Sequence, residues 1–186
     1  MKRYIIIAGC VFIVVLFIIV SARLYPVAIV NGSPVWYRAW NRYFIGSGHA
    51  LALQARSEGT QFNLDIALVS LIKKDTLTAL IEDKILAQEA RKLFSDFDGM
   101  SNIRINEAID SSAGVKDAAL FMYGFSVEDF HNFVLLPQSH REVIQDEFDK
   151  QKINVSAWFA GIKKKAHVRV MLDSYIWDGD MVIEVP

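Results

Sequence analysis

Apolar residues change their spacing several times along the chain, and each change marks an element. From Tyr4 to Val20 the sequence YIIIAGCVFIVVLFIIV is seventeen residues without a formal charge, preceded by Lys2 and Arg3 and followed by Ser21, Ala22 and Arg23. Extended through Ala22 it would make roughly 28 Å of helix, enough to cross the hydrocarbon core of a bilayer. Val27-Ala28-Ile29-Val30 is a short β-type run closed by the turn dipeptide Asn31-Gly32, with Pro34 beyond. From Trp36 the apolar residues fall at 36, 40, 43 and 44, the stripe of a helix with one buried face. Ile45-Gly46-Ser47-Gly48 predicts a break in that helix, and residues 57–64 a loop.

The best-patterned helix runs from about Asp65 to Phe94, with Leu77, Leu80, Ile81, Ile85, Leu86, Ala90 and Leu93 on its apolar stripe. Phe94 to Met100 reads as a turn, Ser101 or Asn102 as a cap, and Ile103 to Ser111 as a shorter helix. Val115 to Tyr123 is another helix, stopped by Gly124. Ser126-Val127-Glu128-Asp129 is a variant of the capping box that opens a helix at 127. Pro137 is expected within that helix or near its end, with Val143 to Lys150 as a continuation. Ser156 is expected to cap a last helix through Lys165, after which Val168 to Leu172 takes up strand periodicity. The expected fold is mainly α: a helical domain over 24–172, with a small two-stranded sheet pairing residues 27–31 with 168–172. One transmembrane signal anchor at 1–23 precedes it and a C-terminal tail at 173–186 follows.

Composition changes this picture little. The 186 residues are 53% apolar and 22% charged, which excludes a disordered chain, and a single run of spanning length excludes a polytopic membrane protein. Removing Lys2, Arg3 and Arg23 from the 20 basic residues leaves 17 against 21 acidic, a net of −4 for the remainder, which disfavours nucleic acid as a partner. The single cysteine, Cys10, excludes a disulfide framework within the chain. Lys2 and Arg3 favour a cytoplasmic amino terminus, with the bulk of the chain extracytoplasmic at the cell membrane. Val20-Ser21-Ala22 has the small residues of a signal-peptidase site, but the apolar run exceeds a usual signal peptide, so an uncleaved anchor is expected. Ile7-Ala8-Gly9-Cys10 has the form of a lipobox, yet most of the apolar run follows the cysteine instead of preceding it.

Three motifs in order resemble the N-terminal chaperone domain of the SurA and PrsA family of extracytoplasmic foldases. Val27 to Val35 is similar to the family's opening strand and Asn-Gly turn. Leu77 to Leu93 looks like its long helix, including Glu82, Asp83 and Lys84. Trp158 with Lys164, Lys165, Ala166, Val168 and Val170 resembles its closing helix and strand, and Gly124 to Phe130 the internal turn. The family's usual Thr-x-x-Glu cap is replaced by Trp36-Tyr37-Arg38-Ala39. Relatives often insert a parvulin prolyl isomerase domain, for which the stretch between Phe148 and Trp158 leaves no room. The resemblance implies a non-catalytic domain that binds unfolded or newly exported polypeptides.

Chemistry-bearing residues add no enzyme to this. His49, His131, His140 and His167 lack metal-ligand spacing, and Ser139-His140 lacks the Gly-x-Ser-x-Gly elbow of a hydrolase. Gly46-Ser47-Gly48 is an incomplete phosphate-binding fingerprint. Lys163-Lys164-Lys165 is a solvated helix end, and Glu82 with Asp83 a solvated face. No cofactor, nucleotide or metal is implied. The aromatic surplus remains: Trp40, Phe121, Met122, Tyr123, Phe125, Phe130, Phe133, Trp158 and Phe159 are the candidate peptide-binding residues. A minority of them is expected to line a concave helical surface, because a chaperone must display apolar, adaptable side chains. The alternative is an adaptor or structural subunit that binds one membrane-protein partner. A prolyl isomerase, the rival from the enzyme class, rests on the family association alone.

Overall fold

Asn31 and Gly32 take positive φ angles of 47° and 83°, the backbone of a two-residue hairpin turn. They join β1 (Pro26–Val30) to β2 (Ser33–Trp36), with Val30 opposite Ser33. The description is a computed structural model covering residues 24–111 and 114–185, without the side chain of Lys116. The expected anchor at 1–23, with its lipobox-like motif and cleavage site, lies outside those residues. Among the described residues no helix is long and apolar enough to cross a membrane.

After β2 come α1 (Tyr37–Ser57), α2 (Ile66–Leu93), α3 (Phe97–Asp110) and α4 (Val115–Tyr123). A continuous helical run follows: α5 (Val127–Phe130), a π-helical segment (His131–Leu135) and α6 (Leu136–Gln151). The chain ends with α7 (Val155–Lys165), β3 (Val168–Val170), β4 (Tyr175–Trp177) and β5 (Val182–Glu184). The protein is mainly helical with small antiparallel sheets.

As expected, the first and last strands of 24–172 pair: β1 and β3 are antiparallel, Ala28 opposite Val170 and Val30 opposite Val168. Asn31 fixes this closure. Its N–H donates to the His167 carbonyl and its Oδ1 accepts from the His167 N–H, each at 2.8 Å, while its Nδ2 donates to Gln88 on α2. The sheet has three strands, in the order β2-β1-β3, and not two. The difference comes from the Asn-Gly turn, which does not merely end a strand but folds Ser33–Trp36 back as its partner.

The segment expected as a tail, 173–186, forms a second antiparallel pair through β4 and β5, with Ile176 opposite Ile183. Tyr175 and Val182 are buried in one cluster with Val27, Val30, Trp40, Leu77 and Ile81. A second cluster joins the far end of α2 to α3 and α6 through Leu86, Ala90, Phe97, Val143, Ile144 and Phe148, with Trp158 and Phe159 of α7 packed against it. Thus α2 is the spine: its first part packs on strands and on α1, its last part on α3, α6 and α7.

Other boundaries moved for physical reasons. The break expected at Gly46 is absent, and α1 runs through it, because Gly46 is buried against Phe125 and the missing side chain makes room for that ring. Ser101 lies buried inside α3 and caps nothing, the helix having begun at Phe97. Asn154, not Ser156, caps α7, its side chain accepting from the Ala157 N–H at 2.9 Å. As expected for Val143 to Lys150, the helix opened at 127 continues past Pro137. The π-helical turn comes directly before it, with the Leu136 N–H reaching the His131 carbonyl, so the helical ladder is already irregular where the proline, with no N–H to donate, enters α6.

Candidate functional site

Three helical stripes converge on one cleft. From α1 come Tyr43, Ser47, Ala50 and Leu51; from α2 come Ile72, Asp75, Thr76, Ala79, Leu80 and Asp83; from the π-helical segment and α6 come Phe133, Val134, Pro137, Gln138, Arg141 and Glu142. On each element the residues recur at helical spacing, so one face of each is turned to the cleft. Tyr123 at the end of α4 completes the lining, and the space enclosed is about 680 Å³.

An aromatic ladder holds the wall. Tyr43 stacks on Phe133 with centroids 5.5 Å apart and planes 11° from parallel. Phe133 meets Phe125 at 5.7 Å, Phe125 stacks on Tyr123 at 5.3 Å, and Tyr123 meets Phe130 at 5.9 Å. The ladder is possible because three devices bring its parts together. Gly46 lets Phe125 approach α1, where an added Cβ would lie 2.0 Å from its ring. Gly124 takes a left-handed φ of 62° that ends α4 and turns the chain. The capping box then restarts it: the Ser126 hydroxyl accepts from the Asp129 N–H at 3.1 Å and donates to the Asp129 carboxylate at 2.7 Å.

Arg42 on α1 donates to Asp129 at 2.8 Å and ties the restarted helix to the first one. Burial opposes ionisation of Asp129, but the hydrogen bonds from Ser126 and Arg42 outweigh it and hold the carboxyl below its ordinary range. Tyr43 moves the other way, its phenol pushed above the usual value by burial against the partial opposition of Arg141. It therefore stays neutral at physiological pH and serves as an amphipathic wall.

Behind the cleft, Asp83 accepts from Nδ1 of His140 at 2.9 Å, and the buried imidazole packs 5.0 Å from the Phe97 ring. Next along α2, Glu82 accepts from Lys163 at 2.9 Å, and Lys163 also meets Asp180 in the β4–β5 connection. Glu82, Asp83 and Lys163, expected as solvated charges, are thus partly buried fasteners between α2, α6 and α7. Asp83 and His140 do not make a hydrolytic dyad, since Nε2 of His140 is buried and the Ser139 hydroxyl donates to the Leu136 carbonyl. Among the described residues no group of three or more His, Cys, Asp or Glu is placed to hold a metal ion.

The nine candidate residues separate into four groups. Trp40 and Phe125 are core: Trp40 donates from Nε1 to the Lys73 carbonyl, and Phe125 supports the ladder from beneath. Tyr123 and Phe133 line the cleft, with Phe130 packed behind Tyr123. Phe121 and Met122 are exposed on α4 together with Leu120, three apolar neighbours in a row. Trp158 and Phe159 lie apart, packed on the second core cluster, with Trp158 edge-on to Phe148 at 4.8 Å. Tyr43, Leu51, Ile72 and Leu80 were missed. Tyr43 already belonged to the apolar stripe that opens α1, so its face was readable, but its partner across the cleft was not.

Comparison with protein-family models, curated proteins and solved structures finds no match for the chain.

Proposed function

We propose that the protein is a membrane-anchored, extracytoplasmic chaperone of the SurA and PrsA type, which holds unfolded or newly exported polypeptides and catalyses no reaction. The observation that carries this reading is the cleft, an open concavity walled by Tyr43, Phe133, Tyr123, Leu51, Ile72 and Leu80, with charges only at Asp75, Asp83, Arg141 and Glu142. Its size lies in the range of ligand sites, and its walls are mostly apolar or aromatic, as suits side chains of varied shape. The exposed row Leu120-Phe121-Met122 continues the chain into Tyr123 and extends apolar contact beyond the cleft. The pairing of β1 with β3 around a helical body is also the arrangement the family resemblance implies. Tethering by residues 1–23 would concentrate the cleft where polypeptides emerge from the membrane.

The test is fluorescence anisotropy of labelled, unrelated unfolded polypeptides against the full chain in nanodiscs, with a folded protein as control. Micromolar binding across the panel, about −8 kcal/mol, is expected. Leu51→Asp is expected to weaken it about tenfold or more while leaving the thermal midpoint unchanged, because Leu51 lies at the exposed rim. Saturable binding to one folded protein, with none to the panel, would replace the chaperone reading by a dedicated adaptor.

A further inference from the structure

Leu24, Trp36 and Ile45 are each about half exposed, at 50%, 47% and 52%, and all three border a second depression of about 870 Å³, which takes the opposite face of α1 from the cleft and shares only Phe133 with it. We propose that this face lies against the bilayer, with Trp36 seated at headgroup depth. The proposal rests on the anchoring part of the functional reading, that residues 4–22 span the membrane.

The length of the link is the argument. The Tyr25 carbonyl accepts from the Tyr37 N–H at 2.9 Å, and the Tyr25 ring packs 4.9 Å from that of Tyr37. The chain is therefore fastened to the domain from residue 25 onward. From Ala22 to Tyr25 is three residues, which reach at most about 10 Å. The headgroup layer on one side of a bilayer is itself roughly 5–8 Å thick. A domain held this closely must turn the surface around residue 25 to the membrane, and Trp36 is on that surface because it pairs with Pro26 across the hairpin.

The chemistry of the face agrees with the position. Tryptophan concentrates at membrane interfaces, where its ring is apolar and its N–H finds water and headgroups. Leu24 and Ile45 flank it, and Arg38 stands beside it. The formal charges around the depression cancel, Arg38 and Arg42 against Glu128 and Asp129, with Arg42 already paired to Asp129. Attachment is accordingly apolar and interfacial, and indifferent to lipid charge. It also leaves the α1 face that lines the client cleft turned from the membrane, with Phe133 as the wall between the two.

The test uses the full chain reconstituted in phosphatidylcholine vesicles, with and without brominated acyl chains, and the Trp36→Phe variant. Flotation with the vesicles reports the anchor; quenching of tryptophan emission reports the face. With four tryptophans in the chain, bromolipid should remove up to about a quarter of the emission, and Trp36→Phe should abolish that loss. Adding phosphatidylglycerol should change nothing. Flotation with equal quenching in the two proteins would overturn the proposal and leave the anchor standing. Failure to float would overturn the anchor and this proposal together, without touching client binding measured by anisotropy. Quenching of Trp36 by a nitroxide-labelled unfolded polypeptide, but not by bromolipid, would assign the face to clients instead.

Discussion

Gly46→Ala is the substitution that best separates the local from the tertiary preference of α1. In an isolated helix, alanine would be better than glycine by about 1 kcal/mol. In this protein the new Cβ would lie 2.0 Å and 2.1 Å from two ring atoms of Phe125, far inside van der Waals contact. The ring cannot swing away freely, because it is buried and packed against both Tyr123 and Phe133. Overpacking of this kind costs about 1–3 kcal/mol, and the trapped ring puts Gly46→Ala at the upper end. Subtracting the helical gain leaves a net loss of about 2 kcal/mol, or roughly 4–8 °C in thermal midpoint for a domain of this size. The background Phe125→Ala removes the obstacle, and there the same substitution should stabilise by about 1 kcal/mol. The double-mutant cycle would then show a coupling of about 3 kcal/mol. Urea unfolding followed by circular dichroism measures all four corners. A rise in stability for Gly46→Ala in the natural background would refute the argument, and with it the claim that Gly46 exists to admit Phe125 and not to loosen the helix.

Further expectations concern the charged fasteners. Burial opposes the charge on Lys163, but its hydrogen bonds to Asp180 and Glu82 outweigh it, so its folded pKa lies above the ordinary lysine value. A raised pKa means its stabilisation is complete below about pH 10.4 and fades as pH climbs through the folded value. Lys163→Met should cost about 2 kcal/mol at neutral pH by leaving Glu82 unpaired, and the gap between variant and natural protein should narrow in strong alkali. A constant gap would rule out the ion pair as its source. Asp129 has the opposite sign: its depressed pKa gives stability present above about pH 3.9 and lost as pH falls through the folded value. Asp129→Asn should therefore cost about 1 kcal/mol at pH 7, mainly through the cap since Arg42 is half exposed, and nothing in strong acid. A variant as stable as the natural protein at pH 7 would remove the capping box from the account.

What could be read from the chain was what local physics decides. The limits of α2 were legible to within a residue, because its apolar stripe is long and Asp65 caps it, accepting from the Leu68 N–H at 2.7 Å. The Ser126 capping box was legible for the same reason, being complete within four residues. Gly46 misled because its role depends on a phenylalanine nearly eighty positions away. Asp83 and Glu82 misled likewise, their partners His140 and Lys163 lying on other helices. Of the candidate site, Tyr123 and Phe133 were marked by aromatic density, but the stripe from α2 was hidden, since a helix facing a cleft has the same periodicity as one facing a core. The hairpin of β4 and β5 had a signal that was passed over. Asp178-Gly179 between two apolar triplets is a turn sequence, and the Asp178 side chain accepts from the N–H groups of Asp180 and Met181, each at 2.8 Å.

That hairpin changes what the domain is. A helical unit ending at residue 172 would leave one flank of α2, at Ser70, Thr78 and Glu82, facing solvent. Instead Glu184 accepts from the Ser70 hydroxyl at 2.8 Å, the Val182 N–H donates to Thr78 Oγ1 at 3.0 Å, and Asp180 joins the Lys163–Glu82 pair. Val182 is as fully buried as Val30 in the opening strand, and the two belong to one cluster. If the last residues were an appendage, their side chains could be truncated at no cost. As part of the core, Val182→Ala removes two methyl groups from a closed site and should cost about 2 kcal/mol, matching Val30→Ala. Ile176→Ala, on the exposed side of the same hairpin, should cost under about 0.5 kcal/mol. Equal and negligible losses for Val182→Ala and Ile176→Ala in urea unfolding would return residues 173–186 to the status of a tail and detach them from the α2 spine.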